Sequence, residues 1–275
     1  MKVSYLMSLY SKENPKYLND ALLSLSLQTY IIDEIVLVID GPITNELESV
    51  ISKWNEALPF KLLRLDKNVG LAQALNKGLE VCSNELVFRM DTDDVSEPNR
   101  TECQVRFMLE SNVDILGSQA VDIDENSNYI KDRQVPFDHE TISKLIWCCP
   151  MIHPSVCFWK SSIKSIGSYA IDCPHRQDDY ELWIRAESLG LKFANLPQRL
   201  IKYRTVKGYR SKNSFMVGVN RFKLGLPALI KNDLRLVSIL SLSYPMIRSV
   251  LPDFLLDKFE NWVSLFDPRT KKYEK

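Results

Sequence analysis

The chain has 275 residues, 45% hydrophobic and 25% charged, with 35 Lys+Arg balancing 35 Asp+Glu. That composition belongs to ordinary globular proteins and excludes collagen-like, low-complexity and disordered material. No stretch nears the ~20 uninterrupted apolar residues of a spanning helix.

The opening segment, Met1 to Tyr10, lacks the small-residue cleavage site of a secretory signal and reads as a first buried strand. Apolar runs follow at Ile35–Ile39, Phe60–Leu65 and Leu86–Met90, the first being Val3–Leu9. Between them lie helical patterns at Tyr17–Leu27, Leu47–Ala57 and Leu71–Cys82; in the last, Leu71, Leu75, Leu79 and Cys82 recur at helical spacing. Strands alternating with helices of this length predict an α/β domain with a doubly wound, mostly parallel sheet. Ligands of such sheets bind beyond the carboxyl ends of the strands. Those ends carry Tyr10 and Ser11, Asp40 and Gly41, Lys67 to Gly70, and Asp91 to Asp94, so one polar rim is expected to hold the site. The six cysteines (82, 103, 148, 149, 157 and 173) form no Cys-x-x-Cys pair and no zinc-like cluster. They are expected to be reduced thiols of a cytosolic protein, packed as small hydrophobes.

Asp91, Asp93 and Asp94 crowd three carboxylates into four residues at a strand end. On an extended strand Asp91 and Asp93 share a face, and unpaired like charges raise one another's pKa, so the cluster calls for a cation. Hard divalent ions use one or two carboxylates together with substrate phosphate oxygens. The same residues also suit an acidic turn that caps a helix starting near Pro98, and the four residues alone leave both readings open. Arg89, inside an apolar strand, predicts pairing with a nearby carboxylate. Further on, Asp178 and Asp179 begin a helix whose apolar face is expected at Leu182, Ala186 and Leu189.

Four segments, in order, resemble glycosyltransferase family 2. Arg89-Met90-Asp91-Thr92-Asp93-Asp94 with Pro98, Arg100 and Gln104 is similar to its DxD region. Asn68-Val69-Gly70-Leu71 with Leu75-Asn76-Lys77-Gly78 matches a second motif, and Ile152-His153-Pro154-Ser155-Val156 a third. Gln177 to Arg185 looks like the motif Glu-Asp-Tyr-x-Leu-Trp-x-Arg. The resemblance runs from Val3 to about Arg204 and implies the GT-A fold and an inverting transfer from a nucleotide sugar. By that resemblance Tyr10, Asp40, Asn68, Gly70 and Asp91 bind the nucleotide, and Asp93 holds Mn²⁺ or Mg²⁺ across the diphosphate. Asp179 matches the base that deprotonates the acceptor hydroxyl. Asp94, His153, Asp178, Arg204 and Lys207 fall on the acceptor or diphosphate side. The family's usual Glu before the base is Asp178 here, and Tyr203-Arg204 lacks the His that often follows, so a third protein ligand to the metal is open. Residues 1–100 are assigned to the donor and 101–204 to the acceptor side and base.

Three rivals fit less of the chain. A haloacid-dehalogenase-like phosphatase would use Asp91 and Asp93, but it opens its domain with the nucleophile strand, whereas three strand–helix units precede this one. A nucleotidylyltransferase needs a Gly-rich basic loop after the first strand, which Tyr10–Pro15 does not provide. A non-catalytic binding module would have no use for the full carboxylate set.

The balanced charge conceals an asymmetry. Residues 1–198 hold 19 Lys+Arg against 29 Asp+Glu, a net of −10, and residues 199–275 hold 16 against 6, a net of +10. After the basic run comes an apolar stretch from Leu236 to Phe259, expected to be broken at Pro245 and Pro252. Residues 205–275 therefore read as a basic, apolar helical extension lying on the inner face of a bacterial membrane. No nucleic-acid motif accompanies the charge, and nucleic acid is not expected as a partner. A membrane surface suits a lipid-diphosphate-linked sugar as acceptor. UDP-glucose or UDP-galactose, transferred β-1,3 onto GlcNAc-diphosphate-lipid in O-antigen or capsule assembly, is the expected reaction.

Overall fold

The computed structural model describes residues 1–205, 215–233, 235–252, 255, 263 and 267–269. The first half alternates strictly: β1 (Val3–Leu9), α1 (Pro15–Ser26), β2 (Glu34–Ile39), α2 (Asn45–Trp54), β3 (Phe60–Arg64), α3 (Leu71–Val81), β4 (Leu86–Arg89). Local chemistry sets the helix starts. Asn14 caps α1 by accepting from Lys16 N at 2.9 Å, with Pro15 at the first helical position, where a missing N–H costs nothing. There follow β5 (Val95–Ser96), α4 (Arg100–Glu110), β6 (Ile115–Ile123), β7 (Tyr129–Arg133) and α5 (His139–Lys144). Single 3-10 turns at Ile146–Cys148 and His153–Ser155 lead into β8 (Cys157–Trp159), α6 (Lys160–Ser165), α7 (Asp178–Ser188) and β9 (Phe193–Arg204). Two helices, α8 (Phe215–Asn232) and α9 (Leu236–Val250), pack against each other beyond them.

Nine strands among the described residues form one sheet in the order β3-β2-β1-β4-β8-β6-β9-β5, with β7 paired to β6. The half β3-β2-β1-β4 is wholly parallel; beyond it β8 runs antiparallel to both β4 and β6, and β6 and β9 are parallel again. The sheet is covered on both faces, and the alternation of β1 shows why. Leu6 packs with Val36, Val38 and Leu75 under α3, while Tyr5, Met7 and Leu9 pack with Leu22, Leu47 and Val105 of α1, α2 and α4. Strands buried on both faces read as continuous apolar runs, which is how β1, β2 and β4 stand out in the sequence.

Two buried side chains lock the sheet behind its carboxyl ends. Arg100 is fully buried without a carboxylate partner among the described residues; it donates to Arg89 O at 2.8 Å, Gln104 Oε1 at 2.9 Å and Ser96 Oγ at 3.1 Å, and lies over the rings of Tyr5 and Phe88. Gln104 in turn donates to Leu116 O at 3.1 Å and Ser155 O at 2.9 Å. Together they fix the end of β4 to β6 and to the turn after Ile152.

Two sequence expectations are corrected. Pro245 does not break α9: it lies inside the helix, as Pro227 does in α8, and Pro252 follows the helix end. The hydrogen bond lost at an internal proline is tolerated because the helix pair buries Ala228, Leu229 and Leu242 against Trp147, Tyr180 and Trp183. Leu189 is not on the buried face of α7 but 59% exposed, because the helix ends at Ser188; Tyr180 and Trp183 join Leu182 and Ala186 in the core instead. All six cysteines are free thiols.

Candidate active site

In the parallel half, β1 lies between β2 and β4, so the chain's winding reverses at the β1/β4 crevice, where open α/β sheets bind ligands. Tyr10 follows β1 there and Asp91 to Asp94 follow β4. The structure brings Asp91, Asp93 and Asp94 together, with one carboxylate oxygen of each within 4.8 Å of the others. Asp91 is held by Arg89, whose Nη2 donates to Oδ1 at 2.5 Å; the pairing expected for that buried cation is present. Arg89 is 1% exposed, and its Nε and Nη1 have no hydrogen-bond partner. Asp94 is buried, with Oδ1 accepting the N–H of Arg204 at 2.8 Å and Oδ2 unpartnered. Burial first, then the charge of Asp91, pushes the Asp93 carboxyl up to about 6; burial, then the charges of Asp93 and Asp91, hold Asp94 well above the ordinary carboxylate range. Three crowded acids with an orphaned buried oxygen fit a divalent cation by charge and by ligand type. Asp94 belongs to this cluster.

Asp40, at the end of β2, is buried and organises the neighbouring loop. Its two carboxylate oxygens accept Val69 N at 2.7 Å and Gly70 N at 3.1 Å, and its backbone carbonyl accepts the Asn68 side chain at 3.2 Å. Gly41 makes this approach feasible: its φ is +86°, and a Cβ there would stand 2.5 Å from Asn68 N. Asp40, Asn68 and Gly70 thus form one unit at the N-terminus of α3, where backbone N–H groups and the helix dipole favour phosphate.

Across the crevice, Asp178 and Asp179 start α7. Burial raises both carboxyl pKa values; at Asp178 the charge of Asp179 adds to it, while at Asp179 the Arg221 and Arg89 guanidiniums pull the other way. Arg89 and Tyr169 both lie within electrostatic range of Asp91 on one side and Asp179 on the other, which joins the acidic cluster and the α7 start into one site. Tyr10 is half-buried. Burial, Glu13 and Asp93 raise its phenol pKa while Arg176, from the loop before α7, lowers it.

His153 forms part of the floor. It is 8% exposed, its Nε2 is 2.9 Å from the Tyr169 hydroxyl, and its ring meets Trp183 edge-on. Burial and Arg89 hold its pKa well below the usual imidazole value, so it is neutral. Arg204 moves from the diphosphate side to the scaffold. Its side chain is wholly buried, donating to Asp93 O at 2.8 Å, Ser127 Oγ at 3.0 Å, Asp124 O at 3.2 Å and Asp20 Oδ2 at 3.2 Å, above the Tyr17 ring. The sequence shows the charge of Arg204 but not that the end of β9 tucks it beneath Asp93. Lys207 lies outside the described residues. Tyr169, Arg176 and Arg221 escaped the sequence reading; Arg221 left a trace only as a member of the basic run, and the other two left none.

The model of the family described as Glycosyl transferase family 2 matches residues 4–165. The amylovoran biosynthesis glycosyltransferase AmsE of Erwinia amylovora is 41% identical over 206 residues, covering 73% of this chain and 75% of the relative. The UDP-Gal:alpha-D-GlcNAc-diphosphoundecaprenol beta-1,3-galactosyltransferase of Escherichia coli is 36% identical over 210 residues, 75% of each. Among solved structures, that of S. aureus TarS 1–349 in complex with UDP-GlcNAc superposes with a TM-score of 0.68 at 17% identity, covering 97% of this chain and 80% of that one. The last likeness is one of fold.

Proposed function

The chain belongs to Glycosyl transferase family 2, and on that premise we propose that it moves a hexose from UDP-glucose or UDP-galactose, with inversion, to GlcNAc-diphosphate-lipid in a β-1,3 linkage. Membership removes the phosphatase alternative. The observation that carries the reading is the carboxylate set Asp91, Asp93 and Asp94 at the β1/β4 switch point, linked through Arg89 and Tyr169 to a separate, half-buried acid, Asp179, at the start of α7. Asp40 holds the Asn68–Gly70 loop against the nucleotide, and Tyr10 and Asp91 line the same side. A divalent cation held by Asp93 and its neighbours would supply charge stabilisation to the departing diphosphate. Asp179, its basicity raised by burial, takes the proton of the attacking hydroxyl, a contribution of typically about 10²–10⁴-fold. Asp178, one residue earlier, stands on the acceptor side, with the neutral His153 supporting the floor below. The E. coli relative, whose name states UDP-Gal as donor and GlcNAc-diphosphoundecaprenol as acceptor, supports the choice of substrates.

A lipid acceptor places the enzyme on the cytoplasmic face of a membrane. Supporting that placement, the turn between α8 and α9 exposes Ile230, Leu236, Val237 and Leu240 beside Lys231 and Arg235. No helix among the described residues is long and apolar enough to cross a bilayer.

Calorimetric titration of a panel of nucleotide sugars, with Mn²⁺ and with chelator, tests the donor side. Metal-dependent binding of one UDP-sugar is expected; binding that ignores chelator would remove the metal from the reading. Asp179→Asn should keep that binding and lose turnover by at least about 10²-fold, and retained turnover would move the base elsewhere.

A further inference from the structure

The family match ends at residue 165, yet the structure places a side chain from far beyond it beside the proposed base. Arg221, on α8, packs on the first turn of α7: its guanidinium lies 4.7 Å above the Tyr180 ring, and Nη2 donates to Cys148 O at 3.0 Å. One helical turn on, Gly225 closes against the same place, so tightly that a Cβ would collide with the Tyr180 hydroxyl and stand 3.0 Å from Trp147 O. The helix is therefore seated here with Arg221 within electrostatic range of Asp179, whose acidity it raises, and of Asp267.

We propose that Arg221 binds the diphosphate of the lipid-linked acceptor, so that the C-terminal helices, and not only the matched domain, recognise the substrate. The inference rests on the acceptor class read above. An acceptor hydroxyl in contact with Asp179 carries its diphosphate on the anomeric carbon of the same ring, one pyranose away. A guanidinium fork is the group best matched to phosphate oxygens at that range. Four other arginines of this region are committed elsewhere among the described residues. Arg89 is buried against Asp91, Arg185 holds Glu181 and the carbonyls of Ile166 and Ser168, Arg204 ties β9 to the acidic loop, and Arg269 pairs with Asp267. Arg221 is half-buried.

The test compares two acceptors: GlcNAc on a short alkyl diphosphate, and the same sugar as a phosphate-free alkyl glycoside. In wild type, kcat/KM is expected to favour the diphosphate acceptor. In Arg221→Gln that preference should fall about tenfold or more, the scale of a lost charge-assisted hydrogen bond, and Arg221→Lys should recover part of it. A purely structural role lowers both acceptors alike and leaves the ratio unchanged, which would overturn the proposal. A wild type without the preference would overturn it too, while transfer to the glycoside would leave the glycosyltransferase reading standing. Should the Gln variant not fold, phenylglyoxal labelling of wild type decides: the diphosphate acceptor should protect Arg221, and labelling at an unchanged rate refutes the assignment.

Discussion

At the scale of single residues, the acidic loop is unstable by itself. Asp93 and Asp94 are raised by burial first and by their neighbours' charge second, Asp93 to about 6 from an ordinary 3.8. A carboxyl with a raised folded pKa holds its proton more tightly in the native state. Its contribution to stability is complete below the unfolded value and is lost as pH rises through the folded one. In the metal-free protein the penalty for ionising Asp93 therefore builds up between its ordinary value and about pH 6 and is fully present above that; a divalent cation would offset it, whereas in acid the cation must displace protons. The melting temperature gained on adding Mn²⁺ is expected to be larger at about pH 7.5 than at about pH 5, taken as the difference from chelator at each pH. That difference cancels the opposite pull of His153, which buried neutral costs stability as pH falls through its unfolded value near 6.5. An equal gain at both pH values would take Asp93 and Asp94 out of the metal site.

At the scale of elements, the fit of α8 onto α7 is a matter of one missing methyl group. A Cβ at Gly225 would collide with the Tyr180 hydroxyl and stand 2.9 Å from Leu242 Cδ1 and 3.0 Å from Trp147 O, two of them groups that cannot yield without moving a helix or a backbone turn. Gly225→Ala should therefore destabilise by about 1–3 kcal/mol despite the better helix propensity of alanine, read as a lower urea midpoint. A variant as stable as wild type would mean that α8 sits looser than described. The same element shows the reach of the sequence. β1 to β4 and their helices were legible because central parallel strands bury both faces and helices bury one. β6 was not, because Gly117, Ser118, Gln119 and Asp122 interrupt its apolar pattern, and several of their polar groups are satisfied by distant partners such as Ser155, Val135 O and Arg133. β9 carries Pro197 and Gln198 at a register shift against β6, and β5 and β8 span two and three residues. The carboxylates of the site were legible as acids at strand and helix ends. Of the cations around them only Arg89 was legible, as a charge inside an apolar strand that needs a carboxylate; Arg176 and Arg221 were not, since a sequence shows that an arginine is charged but not which carboxylate it lies near.

At the scale of the whole molecule, residues 1–198 carry a net −10 and residues 199–275 a net +10, and α8, from the basic part, packs on the start of α7. Surface charges alone are screened beyond about 10 Å at moderate salt, so stable attachment to a bilayer needs apolar insertion as well. The α8–α9 turn offers it: Leu236 is 72% exposed and Leu240 52%, one helical turn apart on α9, with Ile230 at 54% on α8. Their burial in an interface would contribute about 25 cal/mol per Å² of apolar surface, enough for a reversible contact and far from that of a spanning helix. Leu236→Ser combined with Leu240→Ser should therefore weaken co-sedimentation with anionic vesicles severalfold and slow transfer to a long-chain lipid acceptor presented in them. Transfer to a short-chain acceptor in solution should continue at the wild-type rate, because neither side chain lines the crevice. If vesicle binding survives both substitutions and falls only when salt is raised, attachment is electrostatic, and the exposed leucines serve another contact.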